Sequence, residues 1–281
     1  MDSRVIERGN IMYKLIAFDC DGTLLNDQKQ IDKETIEVIK KVKDRGVKIV
    51  LATSKSFYRI KNYLDELDLL EQEQYTVSFN GGYVLNNTEV EVLHKELLSY
   101  EAVSKIVEFG KQFNLYTFIY EKDRIIANKP NDSYVKHNPD VPFIVADFDK
   151  LDLTKISVHK IIIHGPNKQE VSKAKSMLGN EYNNMCEVTS SNVNNIEFIP
   201  FGNSKTTGLK AIGKKLNIEA DEMIAFGDNE NVIDMFNYVG YKVAMGNGID
   251  ELKQISNLVT LSNNENGIAI AIEKMINKGI I

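Results

Sequence analysis

Two cysteines, Cys20 and Cys186, are all that 281 residues contain, and they lie too far apart for the paired spacing of a zinc or redox site. A disulfide framework is excluded as well, and a reducing, cytoplasmic setting is expected. At 281 residues the chain can bury a sizeable core without such staples, in one large or two modest domains. Proline (5) and glycine (17) are too scarce for a fibrous or disordered protein, while 43% hydrophobic and 26% charged residues are ordinary for a globular one. Basic clusters never exceed short pairs such as Lys40-Lys41 and Lys214-Lys215. With a net charge of -6, nucleic acid is not an expected partner. No uninterrupted apolar run reaches membrane-spanning length, which argues against a transmembrane helix. Arg4, Glu7 and Arg8 are wrong for a signal peptide, and the segment before Met12 reads as a dispensable extension. Internal repeats, low-complexity tracts and long linkers are missing, and no protein partner is predicted.

What is present is alternation. Leu15-Ile16-Ala17-Phe18 is a continuously apolar run ending in Asp19-Cys20-Asp21-Gly22-Thr23, as expected of a buried parallel strand feeding a loop. Asp32 is placed to cap a helix over residues 32–44, with Ile36, Ile39 and Val42 near one face, Ile31 as a staple and Gly46 as its stop. Residues 47–52 give the second strand, a helix carrying Tyr58, Ile60, Leu64 and Leu67 follows, and residues 75–79 give the third strand. At Asn80-Gly81-Gly82 the pattern changes to a hairpin around Asn86-Asn87-Thr88 and then to an α+β stretch. Strand and helix alternation resumes from Ser204. The expected architecture is therefore α/β: a Rossmann-like, doubly wound, mostly parallel sheet from residues 1–82 and 199–281, with residues 83–198 inserted as an α+β cap.

Candidate chemistry sits at the carboxyl ends of the predicted strands, where ligands bind in open parallel sheets. Asp19 and Asp21 follow the first strand, Thr53 the second and Asp228 the run Ile224-Ala225-Phe226, while Lys205 opens a helix in the returning half. Carboxylates at i and i+2 astride a strand end can serve as nucleophile and proton donor to one phosphoryl group. An anionic nucleophile meeting an anionic phosphate calls for a hard divalent cation on oxygen ligands, for which Asp19 and Asp228 are suited. Phosphoryl transfer otherwise depends on positioning and charge neutralisation, roles open to Lys205 and Thr53. An Asp-x-Asp-Gly string alone also fits a turn or a calcium loop, but the later Asn and Asp of such a loop are missing here. Asp228 to Asn231 also suits a helix start, Thr53 a helix cap and Lys55 a solvated surface charge. His159 and His164 fall on opposite faces of a strand and read as structural residues, and Cys20 as packing.

Asp19-Cys20-Asp21-Gly22-Thr23-Leu24-Leu25 resembles the first motif of the haloacid dehalogenase superfamily of phosphohydrolases. Ala52-Thr53, Ser204-Lys205 and Phe226-Gly227-Asp228-Asn229-Glu230-Asn231 resemble its other three motifs in their usual order. The insertion between the second and third motifs, entered at Asn80-Gly81-Gly82, is similar to that of the Cof-like subgroup with a large α/β cap. The resemblance implies a phosphatase of small phosphorylated metabolites, with Asp19 forming a phosphoaspartate and Asp21 acting as general acid and base. It implies that Thr53 and Lys205 hold phosphoryl oxygens, and that magnesium contacts Asp19, the Asp21 carbonyl, Asp228 and Asn231. Ser54 and Lys55 would bind substrate. Two departures stand out: Val232 replaces a common second acid, and Ser54-Lys55 replaces glycine and arginine, losing a bidentate fork. A phosphomutase using the same intermediate, and a metabolite-binding regulatory protein without turnover, are the competing readings.

Overall fold

In the computed structural model, residues 13–136, 138, 141–190 and 193–281 are described, so the proposed extension before Met12 lies outside them. In chain order, β1 (Leu15–Phe18), α1 (Lys33–Lys43), β2 (Lys48–Ala52), α2 (Phe57–Glu66) and β3 (Tyr75–Ser78) are followed by the hairpin β4 (Tyr83–Asn86) and β5 (Val92–Lys95). The middle of the chain supplies α3 (Tyr100–Gln112), β6 (Tyr116–Tyr120), β7 (Ile125–Ala127), α4 (Asp132–Lys136), β8 (Phe143–Val145) and β9 (Lys160–His164). It ends with α5 (Lys168–Ser176), α6 (Asn180–Asn183), β10 (Glu187–Thr189) and β11 (Asn195–Ile199). The last part adds α7 (Lys205–Leu216), β12 (Met223–Gly227), α8 (Ile233–Tyr238), β13 (Tyr241–Ala244), α9 (Asp250–Ile255), β14 (Leu258–Val259) and α10 (Gly267–Asn277).

Two sheets result. The larger has the order β14-β13-β12-β1-β2-β3-β4-β5, parallel from β14 to β3 and antiparallel across the final hairpin. Strands β1 and β12 are buried along their whole length, which is why they read as continuous apolar runs rather than alternating ones. One face is covered by α1, α2 and α10 through Val38, Ile39, Val42, Ile60, Leu64 and Ile272. The other is covered by α7, α8 and α9 through Leu209, Ile212, Met235, Phe236 and Leu252. This is the doubly wound α/β arrangement that the alternation predicted.

The smaller sheet, β10-β11-β9-β6-β7-β8, is antiparallel except for the β7–β8 pair. Ile119, Ile161, Ile163 and Phe198 face α3, α5 and α6 on one side. Phe118, Tyr120, Ala127 and Ile162 join the core of the larger sheet from the other.

Two local expectations are corrected. The hairpin placed in the inserted segment pairs with β3 and so extends the larger sheet, Tyr75 opposing Asn86 and Ser78 opposing Tyr83. Asp32 does precede α1, but its side chain makes no cap; Oδ1 instead accepts from Asn26 Nδ2 at 2.9 Å. Chain leaving for the smaller sheet and chain returning from it meet at Gly82. Glu96 N donates to the Gly82 carbonyl at 2.9 Å, and a Cβ on Gly82 would lie 2.6 Å from Asn203 Nδ2.

Candidate active site

The strand order reverses between β1 and β12, so their carboxyl ends form the crevice at the topological switch point. Asp19 N continues the ladder by donating to Phe226 O at 3.2 Å, which fixes Asp19 at the mouth of that crevice. Asp19 Oδ1 accepts from Cys20 N at 2.6 Å and pairs with Lys205 Nζ at 2.8 Å. Lys205 occupies the first turn of α7, where the Ser204 side chain caps Thr207 N, and its side chain is fully buried. A buried lysine needs such a partner. Among the described residues no hydrogen bond reaches Asp19 Oδ2, the oxygen left for chemistry.

Asp228 follows β12. Its Oδ1 accepts from Thr23 Oγ1 at 2.7 Å, and its carbonyl accepts from Ile249 N at 2.9 Å. Burial pushes the Asp228 carboxyl up to about 6; the negative charge of Asp19 adds to this, while the Thr23 hydroxyl and Lys205 oppose it. Gly22 has a φ of +74° and a Cβ there would lie 2.3 Å from Asp228 Oδ2, so only glycine leaves that oxygen room. Gly22 is in turn held through its carbonyl by Asn247 Nδ2 at 2.8 Å.

Thr53 and Lys55 line the loop after β2. Thr53 N donates to Val77 O at 2.8 Å, and Thr53 Oγ1 accepts from Lys55 N at 3.2 Å. Lys55 is buried and its ammonium pairs with Asp21, whose carboxylate is also held by Lys29 Nζ at 2.9 Å. Burial lowers the Lys55 ammonium to about 8, with Arg59 and Lys205 adding to the effect and Cys20 and Asp19 opposing it. Ser54 is half-buried in the same loop, and Asn231 is exposed on the turn Glu230–Val232. Val232 is fully buried, close against Gly227.

Thr23, Gly22, Asn247 and Lys29 carry geometry that sequence reading did not assign a role. Thr23 and Gly22 lie inside the first motif, where their spacing from Asp19 was a usable signal; Lys29 and Asn247 had none. Cys20 is buried as expected, with its thiol pushed up to about 11 by burial above all, so it is an unreactive packing group. His164 Nδ1 meets Asn195 Oδ1 at 2.8 Å, and His159 stacks on Phe79.

The buried Asp19 carboxylate, the half-buried Asp228 carboxylate and the cradle that a Cβ on Gly22 would fill form a donor set that fits a hard divalent cation. Among the described residues no three His, Cys, Asp or Glu side chains gather, so carbonyl or amide oxygens would have to complete the shell. Among them, too, no helix is long and apolar enough to cross a membrane.

The signature of haloacid dehalogenase-like hydrolases matches residues 16–272. The chain is 28% identical to YxeH of Bacillus subtilis over 267 residues, 94% of this chain and 99% of that one. It is 27% identical to YwtE of the same organism, a 5-amino-6-(5-phospho-D-ribitylamino)uracil phosphatase, over 94% of this chain and 98% of that one. A solved haloacid dehalogenase-like hydrolase from Bacteroides thetaiotaomicron superposes with a TM-score of 0.86 at 29% identity, covering 94% of this chain and 99% of that structure. With its motifs gathered in one crevice of the same fold, the chain belongs to the haloacid dehalogenase-like hydrolases and is a phosphatase of their Cof-like branch.

Proposed function

We propose that this phosphatase hydrolyses small phosphomonoesters, sugar or sugar-alcohol phosphates by class, through a phosphoaspartate on Asp19. The observation that carries the reading is the 2.8 Å pair between Lys205 Nζ and Asp19 Oδ1, which neutralises the carboxylate on one side and leaves Oδ2 for attack. The phosphorylated ribityl group in the name of YwtE supports the substrate class.

In the first step Asp19 Oδ2 bonds to phosphorus, the ester P–O bond breaks, and the leaving oxygen takes a proton from Asp21. In the second, Asp21 takes a proton from water, whose oxygen attacks phosphorus and releases inorganic phosphate and free Asp19. Thr53 and Lys205 hold the equatorial oxygens, and Ser54 and Lys55 contact the substrate. Lys55, now on Asp21, can turn to the arriving phosphate and free Asp21 to be protonated. Asp19, the Asp21 carbonyl, Asp228 and Asn231 would hold magnesium, whose charge when bound offsets the repulsion between carboxylate and phosphate. The smaller sheet serves as the cap over residues 96–202, keeping bulk water from the crevice.

Asp19→Asn should abolish phosphate release from a generic phosphomonoester while leaving the unfolding temperature near that of the unaltered protein. Undiminished hydrolysis by that variant would remove Asp19 as nucleophile. An isomerised sugar phosphate in place of free phosphate would replace hydrolysis by mutase chemistry.

A further inference from the structure

Phe79 holds an unusual backbone. Its φ is +49°, followed by +56° at Asn80 and +96° at Gly81, three consecutive left-handed residues where only the last is glycine. A phenylalanine does not choose that region unaided, so its surroundings must hold it there. The conformation aims two amides at the loop after β2: Phe79 N donates to Lys55 O at 3.0 Å and Asn80 N to Thr53 O at 2.9 Å.

The ring of Phe79 is held from the smaller sheet. It stacks on His159 with centroids 4.8 Å apart and planes 2° from parallel, and meets Tyr120 edge-on at 6.5 Å. His159 is tied into that sheet by donating its amide to Tyr120 O at 2.9 Å, and the Tyr83 ring lies tilted against it with centroids 4.9 Å apart. Phe79 and His159 are both almost wholly buried. Burial, with Lys95 and Lys122 nearby, lowers the imidazole to about 3, so a neutral ring faces the phenyl group.

We propose that Phe79 and His159 are positioning residues, through which the seating of the smaller sheet sets the Thr53–Lys55 loop that receives the phosphoryl group. The inference rests on the phosphatase reading of that loop. When the smaller sheet lifts, the stack is lost, Phe79 relaxes from the left-handed region, and its amide no longer fixes the Lys55 carbonyl. The loop is then ready for phosphate only when the crevice is covered.

The test compares His159→Ala, His159→Phe and Phe79→Ala by calorimetric titration with inorganic phosphate, by kcat and KM on a generic phosphomonoester, and by titration with magnesium alone. His159→Ala should weaken phosphate binding about tenfold and raise KM, with magnesium binding unchanged. His159→Phe keeps a stacked ring and should bind phosphate within about twofold of the unaltered protein. Phe79→Ala should match His159→Ala, and the double variant should be no weaker than either single one. Unchanged phosphate binding in His159→Ala, or a loss in His159→Phe equal to that in His159→Ala, would overturn the coupling. Should Phe79→Ala fail to fold, the two His159 variants decide alone. If the unaltered protein binds phosphate but turns over no phosphomonoester, the catalytic reading fails while the binding comparison still judges the coupling.

Discussion

Lys205 Nζ and Asp19 Oδ1 are 2.8 Å apart, joining the first turn of α7 to the end of β1 in an ion pair shut away from solvent. Replacing one member leaves the other as a buried, unpaired charge. Lys205→Met should therefore lower turnover by at least about 100-fold. It should also destabilise the fold by roughly 3 kcal/mol, a loss that shrinks when magnesium is added and shares the carboxylates. Phosphate release and thermal unfolding with and without magnesium check both; an unchanged unfolding temperature would show the pair to be idle.

Thr23 donates to Asp228 Oδ1 and holds the carboxyl down against the effect of burial. Thr23→Val removes that donor without changing shape, so the Asp228 carboxyl should rise further above its ordinary range. A charge-assisted bond of this kind contributes about 1.5–3 kcal/mol, so half-saturation by magnesium should shift upward at least about tenfold. Magnesium titration at neutral pH measures it.

Gly22→Ala puts a methyl group 2.3 Å from Asp228 Oδ2 and a side chain at φ +74°. Activity and magnesium binding should both be lost. Gly46→Ala is the control, because its φ of +90° carries similar strain with nothing within 4 Å. It should lower stability by about 1–2 kcal/mol and leave turnover intact.

Acid should expose His159. Its folded-state imidazole is held down to about 3 by burial, whereas the unfolded chain titrates near 6.5. Between those values the unfolded chain binds a proton that the folded chain refuses, so stability rises with pH. The contribution is full above about 6.5 and is lost towards 3, with a slope approaching about 1.4 kcal/mol per pH unit. Urea midpoints from pH 7 to pH 4 should fall more steeply in the unaltered protein than in His159→Phe; parallel curves would exclude a neutral, buried imidazole.

The site was legible because each of its strands is a short apolar run stopped by a polar residue, and parallel strands carry such stops to one edge. Asp19, Thr53 and Asp228 converge for that reason, while Lys205 joins them from the first turn of α7. Partner choice within the sheets was not legible. The hairpin Tyr83 to Lys95 shows its own turn in sequence, but the connection that pairs it with β3 begins with left-handed backbone at Phe79, which a phenylalanine does not announce. Strand β8, three residues beside β7, is too short for any periodicity. Asp32 has the right type and place for a cap, yet Asn26, six positions earlier, takes its oxygen. Lys29 reaches Asp21 from an exposed loop, a meeting set wholly by tertiary structure.

Because Glu96 N binds the Gly82 carbonyl and Asn203 lies beside the same glycine, the chain leaves the larger sheet and returns to it at one point. A bridge of a few residues in place of 97–202 would close a short loop at little entropic cost and leave all eight strands of the larger sheet in register. The half of the molecule that holds Asp19 and Asp228 is thus open to exchange of its attachment for one of another size, provided the newcomer supplies a ring for Phe79 where His159 now stacks.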